Sequence, residues 1–171
     1  MSPLQSNDGP GKEVQQKHMK KVPLHLIFDA IESANDVYDQ YLDTKEMNVI
    51  MLPNLDSDFA EIEDGDEELL ECIENDEDHR YLALPSEFDI HEYEIMEDYI
   101  NELDDNGLAR RLAGAIRGRG AFRRFKNILI GQGKIQSWYD YRNQYYWQFA
   151  SKWCRAHDIE FVDDQKENNR S

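Results

Sequence analysis

The stretch Tyr38-Asp-Gln-Tyr-Leu-Asp-Thr-Lys-Glu-Met-Asn-Val-Ile-Met-Leu52 decides the fold class. Two extended runs, Tyr38 to Leu42 and Met47 to Leu52, flank the polar Asp43-Thr44-Lys45-Glu46, and this spacing predicts a β-hairpin with a four-residue turn. Upstream, Leu24, Ile27, Phe28 and Ile31 recur at helical spacing within Val22 to Ser33, with Pro23 suited to the first turn. Downstream, Asp56 to Asp66 is acidic and irregular. Glu67 to Glu77 reads as a helix burying Leu69, Leu70 and Ile73. Tyr81 to Leu84 reads as a short buried strand stopped by Pro85.

From Asp89 onward the pattern is helical. Asp89 has the chemistry of an N-cap, with Glu92 completing a capping box, and Tyr93, Met96, Ile100 and Leu103 follow on one face. Asp104 to Gly107 breaks that helix. Leu108 to Ile116 forms the next, Gly118-Arg119-Gly120 interrupts it, and Ala121 to Ile130 forms a third with Phe122, Phe125 and Leu129 inward. Ser137 reads as the cap of a long last helix, with Asp140 as its partner, and Trp138, Tyr141, Tyr145, Phe149 and Trp153 as its apolar stripe. Residues 158–162 read as a short strand or docked tail. The expected architecture is α+β: an N-terminal helix and β-hairpin with a third short strand, followed by a C-terminal helical bundle of about four helices. Residues 1–21 are expected to be a flexible arm, 22–162 a single domain, and 163–171 a polar tail.

The 171 residues carry 36 Asp+Glu against 19 Lys+Arg, a formal net charge of −17. The charge is segregated. Residues 22–105 hold 28 acids and only Lys45 and Arg80, whereas residues 106–155 hold eleven Lys+Arg and the single acid Asp140. The overall charge argues against a general nucleic-acid or anionic-membrane binder, since phosphate would repel the molecule as a whole. No apolar run is long enough to span a bilayer, and no secretory leader pattern is visible, so the expectation is a cytoplasmic protein without membrane contact. Cys72 and Cys154 are too few and too far apart for a disulfide or zinc framework.

The segment Ala115-Ile-Arg-Gly-Arg-Gly-Ala-Phe-Arg-Arg-Phe-Lys126 is the most distinctive in chemistry. Arg119, Arg123 and Lys126 are spaced to share one helix face, with Arg124 on its flank and Arg117 before the turn. Gly118 and Gly120 precede a helix start whose amides suit an anion. Arg117, Gly118, Arg119, Gly120, Arg123, Arg124 and Lys126 are therefore the candidate anion or nucleic-acid site. The plainer alternative is that these arginines pair with carboxylates of the acidic half. On the last helix, Tyr139, Tyr146 and Trp147 lie off the main stripe, which marks them as candidates for a partner or homodimer interface.

Other motifs point less far. Asn54, Asp56 and Asp58 alternate as at the start of a calcium loop, but Phe59 stands where a Gly is needed and Gly65 where the bidentate Glu belongs. His91 neighbours Asp89, Glu92 and Glu94, a pattern that fits an exposed histidine at an acidic helix start as well as an acid/base cluster. No nucleophile elbow, phosphate loop or dinucleotide fingerprint is present, so no catalytic residue, metal or cofactor is assigned.

Tyr38-Asp-Gln-Tyr-Leu-Asp43, Arg80-Tyr-Leu-Ala-Leu-Pro85, Glu92-Tyr-Glu-Ile-Met-Glu-Asp-Tyr-Ile100, the Gly118 to Lys126 box and the Trp138 to Trp153 helix together resemble the uncharacterised protein family 0158, over about residues 22–160. The departures are the N-terminal arm, a hairpin turn without Gly, and Asn127 where an acid is expected. The resemblance implies a bacterial cytoplasmic α+β domain and transfers no catalytic residue.

The leading expectation is a non-enzymatic binding or regulatory module. It would recognise a macromolecular partner, a protein rather than a nucleic acid, through segregated acidic and basic faces. The alternatives are an acidic polyanion mimic that inhibits a basic nucleic-acid-handling protein, and an enzyme or sensor for a phosphorylated small molecule at the Gly118–Arg124 turn.

Overall fold

The computed structural model describes residues 20–168, so the arm expected over residues 1–21 lies almost wholly outside the described residues. The fold begins where apolar periodicity begins. Val22–Pro23 form β1 and Leu24–Glu32 form α1, whose Leu24, Ile27, Phe28 and Ile31 are all buried. Pro23 stands at the N-cap, and its ring carries no acceptor for the amides of the first turn. The far end of the chain supplies what is missing: Asp164 accepts a hydrogen bond from the backbone N–H of His25 at 2.9 Å and contacts its ring Nδ1. The same region holds β5 (Phe161–Val162), parallel to β1. The expected tail is thus a docked strand, followed by a short helix over Gln165–Asn168.

The hairpin forms as expected, with strand ends shifted by one residue. Tyr38–Asp43 (β2) pairs antiparallel with Asn48–Pro53 (β3), Leu42 opposite Val49 and Gln40 opposite Met51. Asp43 closes the turn by accepting hydrogen bonds from the amides of Lys45 and Glu46, and Met47 takes a left-handed φ of 57°. Tyr81–Ala83 (β4) joins the other side of β2, giving the order β3-β2-β4. Arg80, just before β4, grips the Asp43 carboxylate with Nε at 2.9 Å and an Nη at 2.6 Å. This fork and the two turn amides hold the Asp43 carboxyl at about 2, against 3.8 when unperturbed, even though burial opposes the charge. β4 itself is only half-buried, and the buried residue at this place is Leu84, just beyond it.

Asp66–Glu74 forms the helix between β3 and β4, here α2. The expectation that it buries Leu69, Leu70 and Ile73 is corrected: all three are half-buried and no residue of α2 is fully covered. The remaining residues of this short helix are mostly acids, which stay in water and keep it on the outside of the sheet.

Four helices complete the α+β fold: Glu92–Glu102 (α3), Asn106–Ala115 (α4), Ala121–Gly131 (α5) and Ile135–Ala156 (α6). Their caps differ from expectation. The N-cap of α3 is His91. Asp89 instead accepts bonds from the backbone N–H and the hydroxyl of Ser86, folding the preceding loop onto itself. Asp105 caps α4 through the amides of Gly107 and Leu108. α6 starts two residues before Ser137, whose hydroxyl meets the Tyr99 hydroxyl at 2.9 Å, and Asp140 accepts from Gln136.

The apolar stripes also rotate. On α3 the covered residues are Ile95, Met96, Tyr99 and Ile100, while Tyr93 is 46% exposed. On α6 they are Trp138, Tyr146, Trp147, Ala150, Trp153 and Cys154. One cluster joins α1, the sheet residue Leu42 and α3 to α6 into a single core. Tyr99, Phe125 and Trp138 meet edge to face at its centre, and Phe28 stacks on Trp147 with centroids 4.5 Å apart. No described helix is long and apolar enough to cross a membrane.

Candidate functional site

The distinctive basic segment occupies the connection between α4 and α5. α4 ends at Ala115 with Ile116 as its C-cap, and the chain reverses through Gly118 (φ 75°) and Gly120 (φ 77°). Both angles lie in the left-handed region that glycine enters without a Cβ penalty.

Arg124, one turn into α5, folds back over this connection. Its Nε donates to the carbonyl of Ala115 at 3.0 Å. One terminal nitrogen donates to the Arg119 carbonyl at 2.6 Å and the other to the Arg117 carbonyl at 2.6 Å. The guanidinium thus caps the C-terminal end of α4 and binds the turn to α5. A fork engaged on three carbonyls is a brace for the turn, which removes Arg124 from the candidate anion ligands. Helical spacing alone places Arg124 on the flank of the helix and gives no sign of this role. The signal is its distance from the turn: an arginine four residues after a glycine N-cap and nine after a helix end.

The other basic residues are arranged differently. Arg117, Arg119 and Arg123 are exposed, and none has a carboxylate oxygen within 4.0 Å among the described residues. The carboxylates of the acidic half do not reach these three. Arg119 precedes the helix, in the turn, so it does not share a helical face with Arg123. Lys126 is half-buried, its ammonium 5.0 Å from the Phe122 ring centroid and 5.8 Å from that of Tyr139. Arg110 and Arg111 stand exposed on α4, extending the basic surface. Gly120, as N-cap, contributes no side-chain acceptor to the first amides of α5.

The aromatic interface candidates divide. Tyr146 and Trp147 are 3% and 5% exposed and lie inside the core, so they are corrected from surface to scaffold. Rotation of the buried stripe put them there, because α6 is held between α1 on one side and α3 and α5 on others. The Tyr146 hydroxyl donates to Glu92 at 2.7 Å, and burial with this acceptor pushes its pKa upward. Tyr139 is half-buried beneath two cations, Lys126 and Arg142. Arg142 lies between the rings of Tyr139 and Tyr146 and reaches Glu32 at 3.2 Å, tying α6 to the end of α1. Arg142 thus has a carboxylate partner, though its Nε is buried without a hydrogen bond, whereas Arg117, Arg119 and Arg123 face solvent with no carboxylate partner among the described residues. His91 is exposed at the start of α3.

A cleft of 270 Å³ opens between the end of α1 and the start of α3, lined by Glu32, Glu87, Phe88, Glu92 and Tyr146 among others, and no residue of the basic turn contributes to it. The exposed arginines of the turn form a patch of positive charge apart from this cleft.

Comparison with known proteins agrees with the resemblance read from the sequence. The model of an uncharacterised protein family, UPF0158, matches residues 19–170. A UPF0158 protein of Pseudomonas aeruginosa is 27% identical over 141 residues, covering 81% of this chain and 86% of the relative. No solved structure matches the chain.

Proposed function

Because the chain belongs to the uncharacterised protein family UPF0158, its kinship carries no activity, and we propose from its own surface that it is a non-enzymatic binding or regulatory module. In this reading the turn between α4 and α5 meets an acidic surface of a protein partner, while the acidic half keeps bulk polyanions away. The observation that carries it is the state of Arg117, Arg119 and Arg123. They are exposed and without carboxylate partners among the described residues, in a chain with nearly twice as many acids as bases. Arginines left in water beside abundant carboxylates remain available to pair across an interface. The negative field of the rest of the molecule favours a compact acidic patch over a long nucleic acid, which would be repelled along most of its length.

Fluorescence anisotropy tests this with a labelled polyglutamate peptide, heparin and a single-stranded RNA at low and moderate salt. The expected result is binding of the acidic peptide at low salt that weakens as salt rises and drops about tenfold in Arg119→Glu and Arg123→Glu. Preference for RNA over the peptide would transfer the reading to nucleic acid. Absence of binding to all three probes at low salt would remove the basic turn from recognition.

A further inference from the structure

We infer that residues 55–64 are a docking segment that folds into an amphipathic helix in an apolar groove with basic rims on a partner protein. The segment lies between β3 and α2 and contains no helix or strand. Its large apolar side chains are left in water: Leu55 is 60% exposed, Phe59 77% and Ile62 52%, and none of them packs on the core. Exposed apolar residues scattered singly are ordinary. These three stand at i, i+4 and i+7, the spacing with which a helix anchors itself in a groove. At 3.6 residues per turn they fall within about 60° of one another, with Asp56 and Glu63 on one side of the stripe and Asp58 and Glu61 on the other.

The ends of such a helix are already set. The Asn54 side chain accepts a hydrogen bond from the Asp56 amide at 3.0 Å, the bond an N-cap makes to the second helical residue, and its carbonyl accepts from the Ser57 amide at 2.9 Å. Gly65 has a left-handed φ of 98°, the backbone with which helices end. Length and charge keep the segment irregular in the free chain. A helix this short is marginal in water. Asp56, Asp58, Glu61, Glu63 and Asp64 are all exposed with no base among them, and the last three crowd the end where the helix dipole disfavours acids. An apolar groove takes the three anchors out of water, and Lys or Arg on its rims offsets both the mutual repulsion and the dipole. The same acids oppose docking on an anionic membrane. This segment belongs to the acidic half and is independent of the turn between α4 and α5, so either reading can fail alone.

The probe is a synthetic helical peptide of Leu and Lys, its leucines on one face and its lysines flanking them. A second peptide with Ser in place of Leu has the same charge without the apolar face. Titrated into the full chain and followed by backbone NMR shifts, the Leu/Lys peptide is expected to bind and turn residues 55–64 helical, and the Ser/Lys peptide to bind at least about tenfold more weakly. Phe59→Ala should weaken binding of the Leu/Lys peptide about tenfold, while Phe88→Ala, at a similarly exposed aromatic in another turn, leaves it unchanged. Glu61→Pro and Glu61→Ala lose the same charge, but only proline blocks the helix, so the proline variant should bind about tenfold more weakly than the alanine variant. Equal binding of the two peptides overturns the inference, as does binding that leaves 55–64 irregular or no binding at all. So does a helix in 55–64 that forms with rising concentration of the chain alone, which would make a second copy the occupant. Should Glu61→Pro lower the thermal midpoint, Phe59→Ala and the shifts of the unaltered chain decide.

Discussion

The Nε of Arg124 donates to the carbonyl of Ala115 at 3.0 Å, joining the end of α4 to the first turn of α5. With the bonds to Arg117 and Arg119 it makes one guanidinium the organiser of the whole basic turn. Arg124→Ala leaves three carbonyls to water and should cost about 1 kcal/mol in urea unfolding. Arg124→Lys, which has no fork, should recover little of it. Arg123→Ala, at an exposed site without partners, should lie within about 0.5 kcal/mol of the parent. Equal costs at the two positions would contradict the assigned roles.

The glycines of the turn should respond unequally. Both have positive φ, so alanine strains each by about 1 kcal/mol. A Cβ at Gly118 meets open space, whereas one at Gly120 comes within 3.1 Å of an Arg124 terminal nitrogen. Thermal unfolding should therefore rank Gly120→Ala below Gly118→Ala. In the Arg124→Ala background the difference between them should shrink, since the obstacle is gone.

Asp43 predicts a pH dependence. Its carboxyl titrates at about 2 in the fold and near 3.8 unperturbed, so the unfolded chain binds the proton more readily. The stability it contributes is fully present above about pH 4 and is lost as the pH falls toward 2. Asp43→Asn should lower stability at neutral pH by about 2 kcal/mol, since the side chain is 3% exposed and also holds the hairpin turn. The variant should flatten the stability profile between pH 4 and 2. A profile parallel to the parent's would show that other carboxylates dominate.

Trp147 and Tyr139 sit on the same helix and looked alike in sequence, but they should differ sharply on substitution. Trp147→Ala removes the ring stacked on Phe28 and should cost about 3–5 kcal/mol. Tyr139→Ala, at a half-buried site under two cations, should cost about 1 kcal/mol. Denaturant midpoints measured on both variants make the comparison.

The two thiols should separate kinetically. Cys72 is exposed on α2, while Cys154 is buried in α6 and burial pushes its thiol up to about 11. A thiol reagent at pH 8 should modify one cysteine rapidly and the other only at the rate of unfolding. Two rapid equivalents would place Cys154 outside the core.

What the sequence determined by itself was everything that depends on neighbours along the chain. The hairpin between Tyr38 and Leu52, the helix after Pro23, the breaks at Asp104–Asp105, Gly118 and Gly133, and the division into acidic and basic halves are local in origin: alternation, periodicity, glycine and charge. The family likeness was legible from the same segments. Only tertiary structure decided which face of α6 is covered. Its aromatics run nearly all round, so any of several stripes satisfied the periodicity, and the position of α1 selected Tyr146 and Trp147. Caps were likewise decided by competition. Asp89 had a nearer partner in Ser86, and α1 received its acceptor from Asp164, 139 residues away. Whether the arginines of the turn were paired or open could not follow from composition, because pairing requires a carboxylate within reach as well as in the chain. The fold sets Arg80 on Asp43 and Arg142 on Glu32, and leaves Arg117, Arg119 and Arg123 beyond the reach of any described carboxylate.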